Sequence, residues 1–156
     1  MSAVLLRYLQ LAAAYGLSAL FSGTAIAAVL SVMPAADFPL PFVPLAGFCS
    51  IVIAIWAALP AHAFIALMEW QAIRTPYAYC AFASLAGLAF SFILKVPGWV
   101  PLAGILIGLA TGLLFWVIAG RTAGTLKGKG FASHQLLGLL GLSALVTAGA
   151  IALYAF

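Results

Sequence analysis

The amino-acid sequence predicts an all-α protein, a polytopic bundle of transmembrane helices, and three observations carry that prediction. Hydrophobic residues are 67% of the 156 positions and charged residues 5%, against roughly 45–50% and about 25% in soluble domains. Six basic and two acidic side chains are too few to cover a soluble globule of this size. The apolar residues also fall into five uncharged runs, each near the roughly 20 residues a helix needs to cross about 30 Å of hydrocarbon. The charges collect between the runs. In lipid such runs must be helical, because an open strand edge leaves backbone groups unpaired.

The first span runs from about Leu9 to Met33 behind Arg7. It is far longer than the 7–15 residue core of a secretory signal, so it is expected to be retained. Ala12, Gly16, Ala19, Gly23 and Ala27 follow at steps of four, three, four and four, which places small residues on one helical face. Pro34, Asp37, Pro39, Pro41 and Pro44 then break the helix. The second span, Val43 to Met68, reaches about 39 Å if fully helical and should tilt. Pro60 is expected to kink it.

Glu69 to Pro76 forms the next connection, and Tyr77 to Leu94 is the shortest span, with Lys95 able to snorkel. Lys95 to Trp99 makes a tight turn into the fourth span, Val100 to Ala119. There Gly104, Gly108 and Gly112 recur every four residues, a smooth stripe on which another helix can approach closely. Gly120 to Gly130, GRTAGTLKGKG, reads as a flexible positive loop. It does not match the phosphate-cradling GxxxxGK[ST] pattern. Leu136 to Phe156 is the fifth span, with four spans the alternative if this segment does not cross. The chain is thus one transmembrane domain over 1–156.

Lysine and arginine set the orientation. With the N-terminus cytoplasmic, Arg7, Arg74, Arg121, Lys127 and Lys129 fall inside and only Lys95 outside. The basic residues form no continuous stripe, which argues against a nucleic-acid partner. Arg121, Lys127 and Lys129 are instead expected to meet lipid head groups or a partner protein. The small-residue faces, Gly16 and Gly23 on the first helix and Gly104, Gly108 and Gly112 on the fourth, are expected to pack against helices of this chain, of other transmembrane proteins or of a second copy.

Three polar residues are candidates for chemistry. His62 lies seven positions before Glu69, on nearly the same helix face and about 10.5 Å deeper. A polar group at that depth needs a partner or a water path. It can serve a proton route, a metal or a quinone, or simply bond a neighbouring carbonyl. Glu69 and Arg74 are the acid and base nearest in sequence, and are expected to pair across a broken helix end. His134, the other histidine, is expected near the inner end of the fifth span, a couple of turns from His62 in depth, which argues against one shared haem iron. Cys49 and Cys80 lack metal or redox spacing and read as small apolar residues. No cofactor is predicted; bound lipid is expected, with haem, pigment or quinone held only through a partner.

EWQAIRTPYAYCAF, followed by a glycine-rich helix ending GLLFWVIAGRTAG, resembles small uncharacterised multi-pass inner-membrane proteins of alphaproteobacteria. That group shares an aromatic residue and an AGR-AG motif, matched here by Trp116 and Ala119 to Gly124. The likeness covers about a third of the chain and departs at the lysine-bearing loop. It implies a bacterial inner membrane and no particular activity. The expected function is a non-catalytic structural or accessory subunit of a larger inner-membrane complex. The alternatives are a small oligomeric transporter or channel using His62 and Glu69, and an intramembrane redox or quinone-binding subunit.

Overall fold

The computed structural model describes residues 3–32, 41–93 and 98–124. Among them are five α-helices, one 3-10 turn and no strand. These are α1 (Ala3–Ser31), α2 (Phe42–Trp56), α3 (Ala58–Gln71), α4 (Pro76–Ile93) and α5 (Val100–Ile118), with the turn at Gly120–Thr122. Leu5–Ser31 and Val100–Ile118 are long and apolar enough to cross a membrane, and α2 with α3 is a third candidate if that bent pair counts as one span. The apolar part of α4, Pro76–Phe92, is shorter. The run 136–156 lies outside the described residues.

The second span expected over 43–68, with a kink from Pro60, is two helices meeting at 58°. Pro60 explains where the break falls. Its ring crowds the carbonyl four residues back, that of Trp56, and it has no N–H to offer it. The helix ends at Trp56 and restarts at Ala58, which leaves Pro60 in the first turn of α3, where an N–H has no helical acceptor anyway. The two ladders share Ala57: its N–H reaches Ile53 O at 2.9 Å, and its carbonyl accepts from Ala61 N at 2.9 Å. Prolines act the same way elsewhere, with Pro41 ahead of α2, Pro76 opening α4 and Pro101 in the first turn of α5.

The C-terminus of α3 closes differently. Ile73 N–H bonds Met68 O at 3.0 Å and Ala72 N–H bonds Glu69 O at 3.3 Å, with Ala72 left-handed at φ 58°. This is a Schellman closure made by alanine where glycine is usual, at a cost of about 1–2 kcal/mol.

Helix α1 packs on α2 and α5, and α4 packs on α5. Glycines set the closest approach. A Cβ on Gly108 would strike Ala83 O, one on Gly112 Tyr79 O, and one on Gly104 the backbone of Gly87 and the hydroxyl of Ser91. The stripe on α5 therefore meets α4 within this chain, and Gly87 is the reciprocal small residue. Gly23 of α1 lies against the Ser50 backbone of α2. Gly16 does not share that role: it is exposed, with open space where its side chain would be. The α1 residues that do turn inward include Ala14, Ser18, Ala19 and Ser22. Ser22 bonds Thr111 across to α5 at 2.7 Å, and Ala14 joins Met68, Tyr79, Phe115 and Ala119 in the main core. A second core at the far end of α1 is Ala27, Leu45 and Cys49.

Gly108→Ala should force α4 and α5 apart and lower stability by about 1–3 kcal/mol, the usual cost of overpacking. Gly16→Ala should lose nothing. Thermal unfolding in detergent micelles, followed by circular dichroism, compares the two.

Candidate functional site

The described charged residues, Arg7, Glu69, Arg74 and Arg121, converge where α1 begins and α3 and α5 end. Arg7 and Glu69 form an ion pair, each side chain 4% exposed. The guanidinium uses all five of its N–H groups. Nε and Nη2 donate to Glu69 Oε1, Nε at 3.0 Å. Nη2 also donates to Ala119 O at 2.8 Å, and Nη1 to Gln10 Oε1 at 2.8 Å and Thr122 Oγ1 at 2.6 Å. The acceptors are held in turn. Gln10 Nε2 donates to Ile118 O at 2.6 Å, Thr122 Oγ1 donates to Ala119 O at 3.1 Å, and Gly124 N–H donates to Glu69 Oε2 at 2.9 Å.

Electrostatics accounts for the choice of partners. Helix C-termini carry partial negative charge and orphan carbonyls. Glu69, in the last turn of α3, adds an unfavourable anion there. Arg7 neutralises it and at the same time satisfies the last carbonyl region of α5. A buried carboxylate or guanidinium alone would cost several kcal/mol; together, with all five guanidinium protons and both carboxylate oxygens hydrogen-bonded, the pair is tolerated.

Further contacts tie the segments around this pair together. Arg74 Nε donates to Ala123 O at 2.9 Å, Trp116 Nε1 donates to Arg74 O at 2.6 Å, and the Arg121 guanidinium lies over the Trp116 ring at 5.1 Å. Tyr79 OH donates to Ile73 O at 3.1 Å, while its ring stacks on Phe115 and meets Phe64 edge-on. Gly124, at φ +77°, abuts Ala72, and a Cβ there would collide with it.

Two expectations change. Glu69 pairs with Arg7, not with Arg74, because Arg74 lies beyond the Ala72 reversal and turns to the Ala123 carbonyl. Residues 120–124, the start of the stretch read as a flexible loop, are held in place, since Arg7, Arg74 and Glu69 bind three of the five, Thr122, Ala123 and Gly124, and the neighbouring Ala119. Lys127, Lys129, Lys95, Asp37 and His134 lie outside the described residues.

His62 stands apart from this cluster. Its Nδ1 lies 2.6 Å from Ala58 O in its own helix, so Nδ1 carries the proton. Its ring meets Tyr15 at 5.1 Å, and Tyr15 OH donates to Ala54 O at 2.5 Å. Both side chains thus bond carbonyls flanking the α2–α3 break. Among the described residues, His, Cys, Asp and Glu do not gather in threes, so no metal-ligand set is assigned. Cys49 is buried in the α1–α2 core and Cys80 is half-buried.

In the sequence Arg7 counts only towards orientation, Trp116, Thr122 and Gly124 enter only through the AGR-AG likeness, and Gln10 carries no site role. The available signal was the spacing of Arg7 and Gln10 on one face of α1, on the same predicted side of the membrane as Glu69. Comparison of the chain with protein-family models, curated proteins and solved structures finds no match.

Glu69→Ala should destabilise the fold by about 3–5 kcal/mol by leaving Arg7 buried and unpaired. Arg7→Met with Glu69→Leu should cost less than either single change, which a double-mutant cycle in detergent unfolding reads directly. Arg7→Lys should behave much like the loss of the arginine, because a lysine has three donors and no planar fork.

Proposed function

We propose that this chain is a multi-pass protein of a bacterial inner membrane, N-terminus inside, that acts as a non-catalytic structural subunit of a larger assembly. The carrying observation is that its buried charges are spent on one another: Arg7 and Glu69 close the ends of α3 and α5, while large apolar side chains line the outside of every helix. Such a body meets its surroundings through lateral apolar contact. The placement of Arg7, Arg74 and Arg121 about one end of the bundle agrees with the positive-inside orientation. In this reading α2 and α3 form one bent span, α4 another, and 136–156 the fifth. The likeness to small inner-membrane proteins gains a physical content, because Ala119 to Gly124, its AGR-AG stretch, is the segment that Arg7, Glu69 and Arg74 bind.

Gentle solubilisation of native membranes followed by native sizing should yield one defined species much larger than the chain in its micelle. A solitary monomer would overturn the subunit role.

One observation favours a second reading, a small oligomeric transporter or channel. Tyr15 and His62 flank a helix broken within its apolar length, and discontinuous helices in transporters mark binding sites. Under the structural reading, His62→Leu leaves assembly intact or weakens it, with ion permeability of reconstituted vesicles unchanged. Under the transport reading, wild-type vesicles conduct and the variant does not.

A further inference from the structure

Among the described residues two cations remain once Arg7 and Glu69 have paired. Arg74 and Arg121 are both exposed, and neither has a carboxylate partner among the described residues. One indole joins them: Trp116 Nε1 is bonded to the Arg74 carbonyl at 2.6 Å, and the Arg121 guanidinium lies on the same ring at 5.1 Å. Arg74 commits only its Nε, to Ala123 O, which pins the side chain and leaves both Nη groups for a ligand.

The apolar surface beside them has a matching shape. Leu102, Leu106, Leu109, Leu113 and Val117 are exposed along α5. Their spacing of four, three, four and four keeps them on one helical face, and the next step of four arrives at Arg121. An aliphatic track therefore runs the length of a membrane-crossing helix and ends at two guanidinium groups over an indole. That combination is complementary to one molecule: acyl chains for the track, an anionic phosphodiester for the arginine forks, and the glycerol boundary for the indole.

We infer that Arg74, Arg121 and Trp116, with the exposed aliphatic face of α5, form a binding site for an anionic phospholipid on the cytoplasmic side. This inference rests on the membrane placement proposed above but not on the subunit role. A second protein seated on the same face is the competing occupant, and the charge pattern favours the lipid, because Arg74 and Arg121 sit together beside the Val117 end of the track while the described residues along it are apolar.

The test uses the full chain with Trp56, Trp70 and Trp99 replaced by phenylalanine, so that Trp116 alone fluoresces. It is reconstituted in phosphatidylcholine vesicles carrying a small fraction of brominated phosphatidylglycerol or, separately, brominated phosphatidylcholine. Bromine quenches only at contact. Trp116 should be quenched preferentially by the phosphatidylglycerol probe, with the preference falling about fivefold for each arginine removed. Arg74→Gln with Arg121→Gln should erase it, whereas Arg74→Lys with Arg121→Lys should keep only the part carried by charge without the fork. Circular dichroism confirms that each variant is folded, and Arg121→Gln alone, at an exposed position, tests the site should the double variant fail to fold. Equal quenching by both probes overturns the site while leaving the membrane placement standing. A preference that survives the double glutamine change at full size also overturns it. No quenching by either probe removes the membrane placement itself, and the site with it.

Discussion

The Arg7 guanidinium reaches from the first helix to the ends of two others, and the remaining polar architecture is arranged around it. Its five N–H groups link the Glu69 carboxylate, the Gln10 amide, the Thr122 hydroxyl and the Ala119 carbonyl. A lysine has neither the reach in several directions nor the donor count. The position also matters. Two helix C-termini, each with partial negative charge, converge with a carboxylate at this end, and one delocalised cation compensates all three.

The helices meet by shape rather than by charge over the rest of their length. Lipid tails are as apolar as leucine, so burial of apolar area gives little drive for association, and close backbone approach must supply dispersion contacts. The Gly104, Gly108 and Gly112 stripe against Gly87, Ala83 and Tyr79 of α4 serves that end, as does Gly23 against Ser50 of α2. Hydroxyls complete the contacts: Ser22 with Thr111 ties α1 to α5, and Ser84 donates to Ile105 O between α4 and α5. Large side chains are left outside, which suits a lipid or protein environment and would not suit water.

The polar end and the apolar face of α5 together define how this body can meet its neighbours. Saturated inner charges hold the fold, whereas Arg74 and Arg121 at the edge remain able to bind an anion. Trp116 separates the two populations. Its N–H bonds the turn that carries Arg74, and its ring supports Arg121. The AGR-AG stretch is thus both the closure of the bundle and the boundary of its surface.

Composition and run length alone dictated helices, because a chain this apolar must pair its backbone within itself. The proline positions dictated most of the breaks, since a missing N–H acts locally. The glycine period on α5 likewise announced a close contact, as spacing of four is a property of one helix. Tertiary structure decided which groups met. Pairing Glu69 with Arg7 across 62 positions depends on where α1 lands beside α3 and α5, and proximity in sequence favoured Arg74 instead. Gly16 and Gly23 look equivalent in the sequence, yet only Gly23 faces α2, because the rotation of α1 about its own axis is set by its neighbours. The bend fell at Ala57 rather than at Pro60 because a proline disturbs the carbonyl one turn before it.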